Sequence, residues 1–418
     1  MTAIADTAPA SAPGASNGRA LAFVFITVLI DAIGFGIVIP VFPGLIVSLT
    51  GTTLGGAAEI SGWMMFLYAV TQFICGPIIG GLSDRFGRRP VLLASLAAFG
   101  LDYLVMAFAP NLAWLVAARF VAGMTGATFS TAYAYIADIS PPERRGPNFG
   151  LIGMAFGFGF IIGPALGGIV AQFGERVPFL VAGCLALANF AYGWFILPES
   201  LAPALRRRFE WRRANPIGSV LRFRNAHPRV LMLAITMFVW TIGYQALFAT
   251  WNFFTIERFG WGPEQVGWSL AAVGVIGAVV QGGLSRRLIP RYGNRRIVIA
   301  GIISAIGAYF IYAFATTGWV LYAGIAVGFL NGMVFPSMQA LMSSEVAPNE
   351  QGELQGGISS LQALASIFGP PLMTGSFAAF SAPDAPVYLP GAPYLLAALF
   401  SIAALTLFLR TTGERSPS

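Results

Sequence analysis

Gly80-Gly81-Leu82-Ser83-Asp84-Arg85-Phe86-Gly87-Arg88-Arg89-Pro90 is a short charged stretch set between two long apolar runs, Ile60 to Leu82 and Val91 to Ala109. Each run, taken as a helix, is long enough to cross about 30 Å of hydrocarbon. The stretch therefore reads as a loop at a membrane surface, where the chain leaves the bilayer and turns back into it. Gly80 and Gly81 let the helix ends approach closely, and Gly87 permits a turn that a β-carbon resists. Asp84 is suited to accept hydrogen bonds from helix N-termini or from the guanidinium groups of Arg85, Arg88 and Arg89.

Composition extends that reading to the whole chain. Hydrophobic residues make up 56% of the 418 and charged residues only 10%, against about a quarter charged in soluble proteins. This identifies an integral membrane protein and excludes a water-soluble fold. All 24 basic residues are Arg, and the net charge of +7 describes one membrane face rather than a nucleic-acid surface. Cys75 and Cys184 lie inside apolar runs as small hydrophobes and imply neither a disulfide nor a metal site. Residues 1–19 are rich in Ala, Ser, Pro and Gly and read as a disordered cytoplasmic tail, not as a cleaved signal.

Twelve spans are predicted, at 20–49, 58–82, 91–109, 112–138, 147–172, 177–197, 229–256, 265–289, 297–315, 318–344, 353–380 and 393–410. With both termini in the cytoplasm, Arg85, Arg88, Arg89, Arg144, Arg145, the cluster from Arg206 to Arg229, and Arg286 to Arg296 all fall inside. Only Arg176 and Arg258 fall outside, as the positive-inside rule favours. The stretch 199–228 carries Pro203 and Pro216 among its arginines and reads as a basic cytoplasmic linker, with His227 as a solvated loop residue. The two halves repeat at an offset of about 205 residues. Gly62-Trp63 recurs as Gly267-Trp268, Arg85-Phe86-Gly87 as Arg291-Tyr292-Gly293, Trp114 and Gly123 as Trp319 and Gly328, and Gly163-Pro164 as Gly369-Pro370. The expected architecture is all-α: two pseudo-symmetric six-helix bundles at 20–198 and 229–411, with a tail at 412–418. Duplication of this kind puts a substrate site between the bundles near the bilayer midplane, reached from alternate sides as they rock.

Of the 17 acidic residues, Asp31 and Asp102 lie well inside apolar helices. A charge at mid-bilayer costs roughly 2.5–3.5 kcal/mol, so such residues mark ion or proton pathways. At 1.5 Å per residue, both lie about 18 Å from the cytoplasmic edge, and Arg119 comes to about the same level. Two carboxylates and one cation at one depth form a proton and substrate relay: loading a cationic cargo displaces a proton, and Arg119, which keeps its own, tunes the acids. A static Asp31–Arg119 pair that only holds helices together is the competing reading. On span five, Gly159, Gly163, Gly167 and Gly168 with Pro164 read either as close helix packing with a kink or as a functional motif. Span seven carries Trp240, Tyr244, Phe248, Trp251 and Phe254 at three- and four-residue spacing, with Gln245 beside them. These rings line a lipophilic cavity or face lipid.

The charged stretch, G-x-L-S-D-R-x-G-R-R, resembles the signature of the major facilitator superfamily between its second and third helices, where it latches the two halves in one state. G-x-x-x-G-P-x-x-G-G from Gly159 to Gly168 resembles the antiporter motif of the drug/proton exchange branch, which points to export. Further likenesses are Asp31-x-x-Gly34 with Pro40-x-x-Pro43, Arg119-x-x-x-Gly123-x-x-Gly126-Ala127, Leu101-Asp102-Tyr103-Leu104 and Leu354-Gln355-Gly356. Taken together they resemble tetracycline/proton antiporters. The resemblance implies roles for Asp31, Asp84, Arg88, Asp102 and Arg119 and makes Gln72 and Gln281 candidate cavity residues, to which Asn331 is added as a further candidate. It also implies no resident cofactor, a proton gradient as driving force, a cargo arriving as a divalent-metal chelate, and a monomer in the bacterial inner membrane. This sequence departs from the family where an acid of the ninth helix and a histidine of the eighth are expected: it has Ala305 and Gly277. Proton handling then rests on the first half. Transport of an endogenous metabolite or lipid is the alternative, and a non-transporting receptor a third. No nucleophile-and-base pair suggests an enzyme.

Overall fold

The computed structural model describes residues 15–126, 128–141, 144–207, 209, 228–347 and 350–413. Every regular element among them is helical. Twelve helices are long and apolar enough to cross a membrane: Ala20–Thr50, Leu54–Phe86, Arg88–Phe108, Leu112–Ile139, Asn148–Phe173, Val177–Ile196, Pro228–Phe259, Pro263–Tyr292, Asn294–Phe314, Gly318–Ser343, Leu354–Ser381 and Ala392–Gly413. They are numbered here as spans 1 to 12. The chain is a multi-pass membrane protein, and the even number of crossings puts both ends of the described chain on the face that carries the linker. The first helix begins at Ala15, so residues 15–19, expected to be part of a disordered tail, are helical. His227 and linker residues 210–227 lie outside the described residues.

Tight turns join the spans. Thr53 caps span 2 by accepting from the Gly56 amide at 3.2 Å, and Pro178 and Pro263 sit in the first turns of spans 6 and 8, where a missing N–H costs nothing. The charged stretch that reads as a loop is mostly helix. Span 2 runs to Phe86, span 3 begins at Arg88, and Gly87 alone, at φ 109°, makes the turn. A side chain is strained at that φ. Glu199, at the exit of span 6, accepts from the Arg88 amide at 2.8 Å and the Arg89 amide at 3.3 Å, which satisfies the first donors of span 3. Gly81 packs against the ring of Phe209 in the linker rather than against a helix end, and Gly80 faces no neighbour within 4 Å.

Within the first bundle, span 1 packs on spans 5 and 6, span 3 on spans 4 and 6, and span 2 on span 4; the second bundle packs mainly through spans 7, 9, 10, 11 and 12. Between the bundles the most extensive meetings are those of span 2 with span 11 and span 5 with span 8. Their close contacts lie toward the face opposite the linker. Gly62 abuts Pro371 and Thr374, Gly55 abuts Ala378 and Ser381, Gly168 abuts Pro263 and Glu264, and Gly267 abuts Pro164. In the linker-side halves of the same helices, Gly76, Gly80, Gly150, Gly153, Gly157, Gly277, Gly282, Gly283 and Gly356 face nothing within 4 Å. The close contacts between the bundles thus gather toward the far face.

The two outlying arginines have structural work. The Arg176 guanidinium donates to the Ala107 carbonyl at 3.1 Å, and Arg258 donates to the Ala315 carbonyl at 2.9 Å. Each cation caps the C-terminal end of a repeat-related helix, span 3 or span 9, where the helix dipole favours positive charge.

Candidate functional site

Spans 4 and 10 are interrupted at repeat-equivalent positions. On span 4 one helix ends at Thr125, with Gly126 outside it, and another is described from Thr128, while span 10 tightens into a 3-10 segment over Gly328–Met333. Interrupted helices in corresponding places of two repeats mark transporter binding sites, because backbone freed from the helix must be satisfied by neighbours or by a cavity. Gln72 meets that need in span 4: its amide donates to the Gly126 carbonyl at 2.8 Å and to the Tyr68 hydroxyl at 3.2 Å. In span 10, Asn331 accepts from the Trp240 indole at 3.2 Å.

The charged residues gather on the first-bundle side. Asp102 on span 3, 4% exposed, forms an ion pair with Arg119 on span 4. Among the described residues, no other donor reaches its carboxylate oxygens. Asp31 on span 1 is also buried, at 8% exposed, and does not share that pair. The Tyr103 ring packs against Gly34, one helical turn along from Asp31, and the Tyr68 hydroxyl accepts from Gln72 at 3.2 Å. The structure thus couples Arg119 to Asp102, where equal depth alone also allowed Asp31. Tyr68 and Tyr103 were not singled out from the sequence, since uncharged aromatics in a chain with 13% aromatic residues carry no mark of depth or direction.

Span 7 divides its aromatic residues between two faces. Trp240 stacks on Tyr244 with centroids 5.2 Å apart, and Tyr244 meets Phe248 edge-on at 5.3 Å. Phe248 in turn meets Phe160 of span 5 at 5.8 Å, which turns this face toward the other bundle. Trp251 and Phe254, grouped with them in sequence, are buried instead in the second bundle's core against Tyr394, with the Trp251 indole donating to Ser269 at 2.9 Å. Gln245 lays its side chain against Gly369 of span 11, and Gln281 is exposed on a π-helical segment of span 8, Val280–Leu284.

The span 5 motif has two faces. Gly159, Gly163 and Gly167 take span 1 at Ala32, Ile33, Gly36 and Ile37, so close that a β-carbon would strike backbone. Pro164 and Gly168 take span 8 and form part of the seal between bundles, and the helix continues through Pro164. At the linker face Arg88 binds Asp84 at 2.6 Å, Asp138 of span 4 at 3.0 Å and Ser83 at 3.1 Å. Arg89 donates to the Trp194 carbonyl at 2.6 Å and lies over the Trp194 ring, whereas Arg85 lies over Phe86. In this state these contacts tie the first bundle together. Ala305, where an acid is expected from the resemblance, is buried among apolar residues, and Gly277 has nothing within 4 Å.

The model of the family described as Major Facilitator Superfamily matches residues 24–370 and 291–418. Similar proteins include the tetracycline resistance protein of class C from Escherichia coli, 39% identical over 87% of this chain and 91% of that one. The class B protein from the same organism is 33% identical over 82% and 84%. Multidrug resistance protein 2 of Bacillus subtilis is 29% identical over 82% and 85%. Among solved structures, the nucleoside transporter NupG superposes with a TM-score of 0.74 at 11% identity, over 94% of this chain and 99% of that one, which supports the fold alone.

Proposed function

The chain belongs to the major facilitator superfamily, and from that premise we propose that it exports tetracycline-like, flat lipophilic drugs in exchange for protons by alternating access, as a transporter rather than a catalyst. The observation that carries the reading is the Asp102–Arg119 pair, buried inside the first bundle where span 3 meets span 4. A buried carboxylate with a single ionic partner is held charged by that partner, and a cationic or zwitterionic cargo that competes for either member changes its hold on a proton. Asp31 supplies the second carboxylate, toward the cargo.

In this reading the linker face is cytoplasmic, the membrane is the bacterial inner membrane, and the open state accepts cargo from the cytoplasm. The monomer suffices, because one chain supplies both bundles. The cargo travels as a chelate with a divalent cation, so the metal is substrate and not cofactor. The experiment is uptake of tetracycline into everted vesicles energised by an inside-acid gradient. Uptake that needs both the gradient and Mg2+ supports the proposal, and equal uptake after the gradient is collapsed contradicts it. Ala305 and Gly277, which leave the second bundle without a deep acid or imidazole, favour a second reading: an endogenous lipophilic metabolite as cargo. A strain lacking its other pumps whose tetracycline tolerance is unmoved by this protein would favour that metabolite.

A further inference from the structure

Five rings form an arch across the gap between the bundles. Phe156 stacks on Phe160 within span 5 at 6.3 Å, Phe160 crosses to Phe248 on span 7, and Tyr244 and Trp240 complete the run to Asn331 on span 10. Phe160–Phe248 is the only aromatic contact among the described residues that joins the two bundles. It lies on the linker side of the close contacts between the bundles. One turn beyond it toward the sealed face, Pro164 meets Gly267, and the Asn252 amide donates to the Ile39 carbonyl at 2.9 Å. On its other side the inter-helix glycines face open space. The charged wall stands at the same depth, since Gly159, next to Phe160, packs on Ala32, next to Asp31. Phe248 is 37% exposed although it sits mid-span beside a buried Phe160, so part of its ring is free of protein contact.

We propose that Phe160 and Phe248 are a cargo-operated gate: ring against ring they roof the cavity in this state, and a cargo with a flat conjugated face takes the place of that contact as the bundles part. An edge-to-face ring pair is a weak, directional contact, and a conjugated ligand offers the same contact to both rings at once. Opening the far face in the absence of cargo then exposes two rings without compensation, whereas opening around the cargo does not. The pair would thereby select for planar cargo and couple its presence to opening, with Asp31 addressing the cargo's charge from the side. This inference rests on the export reading above and deepens it.

The test measures tetracycline uptake into everted vesicles for the wild-type chain, Phe160→Leu, Phe248→Leu, the double variant and Phe248→Tyr. Each Leu variant is expected to raise KM roughly three- to ten-fold, the size of a lost aromatic contact, without lowering kcat in proportion. Phe248→Tyr is expected to stay within about two-fold of wild type because the ring remains. The double variant is expected to fall within about two-fold of the worse single, since a clamp needs both jaws. Unchanged KM in both Leu variants, Leu and Tyr behaving alike, or effects that multiply independently would each overturn the gate. Met variants replace Leu where insertion fails, and they carry the same expectations. Absence of proton-driven uptake in the wild-type chain would instead overturn the export reading and the gate with it.

Discussion

In the first bundle, spans 3 and 4 meet through Asp102 and Arg119; at the repeat-equivalent positions of spans 9 and 10 stand Ala308 and Gly324, and the Tyr312 ring fills the space over Gly324. Gln72, which satisfies the broken backbone of span 4, corresponds to Gly277. The seam of span 7 against Gly369, equivalent to that of span 1 against Gly163, is made by Gln245 and Ile242 and holds no charged residue. The second bundle thus shows how the same helix seams pack without charge. The seam between spans 9 and 10 thus needs no ion pair, and the proposed proton exchange gives the pair in the first bundle a use besides packing. Burial makes the contrast sharper, because an ion pair out of water usually contributes little more than well-packed apolar groups of the same volume.

The largest effect expected from disturbing this contrast is that of Asp102→Asn. It should abolish proton-driven uptake, a loss of at least about 100-fold, and should destabilise the protein by about 3–5 kcal/mol because Arg119 is left buried without a counter-ion. The double variant Asp102→Ala with Arg119→Gly imitates the second bundle, and in thermal melts it should regain most of that stability while uptake stays absent. Recovery of transport along with stability would make the pair a packing device. Asp31→Asn comes next: uptake should drop about 10- to 100-fold with a melting temperature close to wild type, since Asp31 is not in the Asp102–Arg119 pair.

The seals between bundles give a smaller and symmetric expectation. Gly62 against Pro371 and Thr374, and Gly267 against Pro164, are repeat-related contacts. Gly62→Val and Gly267→Val should each disfavour the closed far face by about 1–3 kcal/mol, as overpacking does. In a background with Cys75 and Cys184 replaced, a reporter thiol placed near the seal should label faster from the far face in both variants, to similar extents. A large difference between the two would break the equivalence of the seams. The smallest effects belong to Arg176→Ala and Arg258→Ala, each expected to cost about 0.3–1 kcal/mol through the lost helix-end contact, read as a melting shift with uptake near wild type.

The span pattern was legible because hydrocarbon thickness constrains length and composition together, and all twelve predicted spans overlap the observed helices. The charged turn was less so. Ser83 to Phe86 are polar enough to read as loop, yet they remain helical because a helix end can stand in the interface with its side chains in water, and Glu199, more than 100 residues away, caps the helix that follows. Depth along a helix is readable from residue counts, so Asp31, Asp102 and Arg119 could be set at one level. Which of them touch depends on rotation about each axis and on neighbours distant in sequence, and the partner of Arg119 emerged only with the fold. The interruptions of spans 4 and 10 had a signal in Gly123, Gly126 and Gly328, but glycine serves close packing as readily as unwinding. The same ambiguity hid the division of span 7, where Phe248 faces the other bundle and Trp251 the core.

Proton release on cargo binding tests the central claim most directly. Purified protein in weakly buffered detergent solution, with Mg2+ present throughout, would be titrated with tetracycline while the pH is followed. Protons are expected to appear in proportion to wild-type protein bound, and the release is expected to be lost in the variant carrying both Asp31→Asn and Asp102→Asn. An unchanged pH on binding to the wild-type chain, or the same release from the doubly substituted chain, would contradict it.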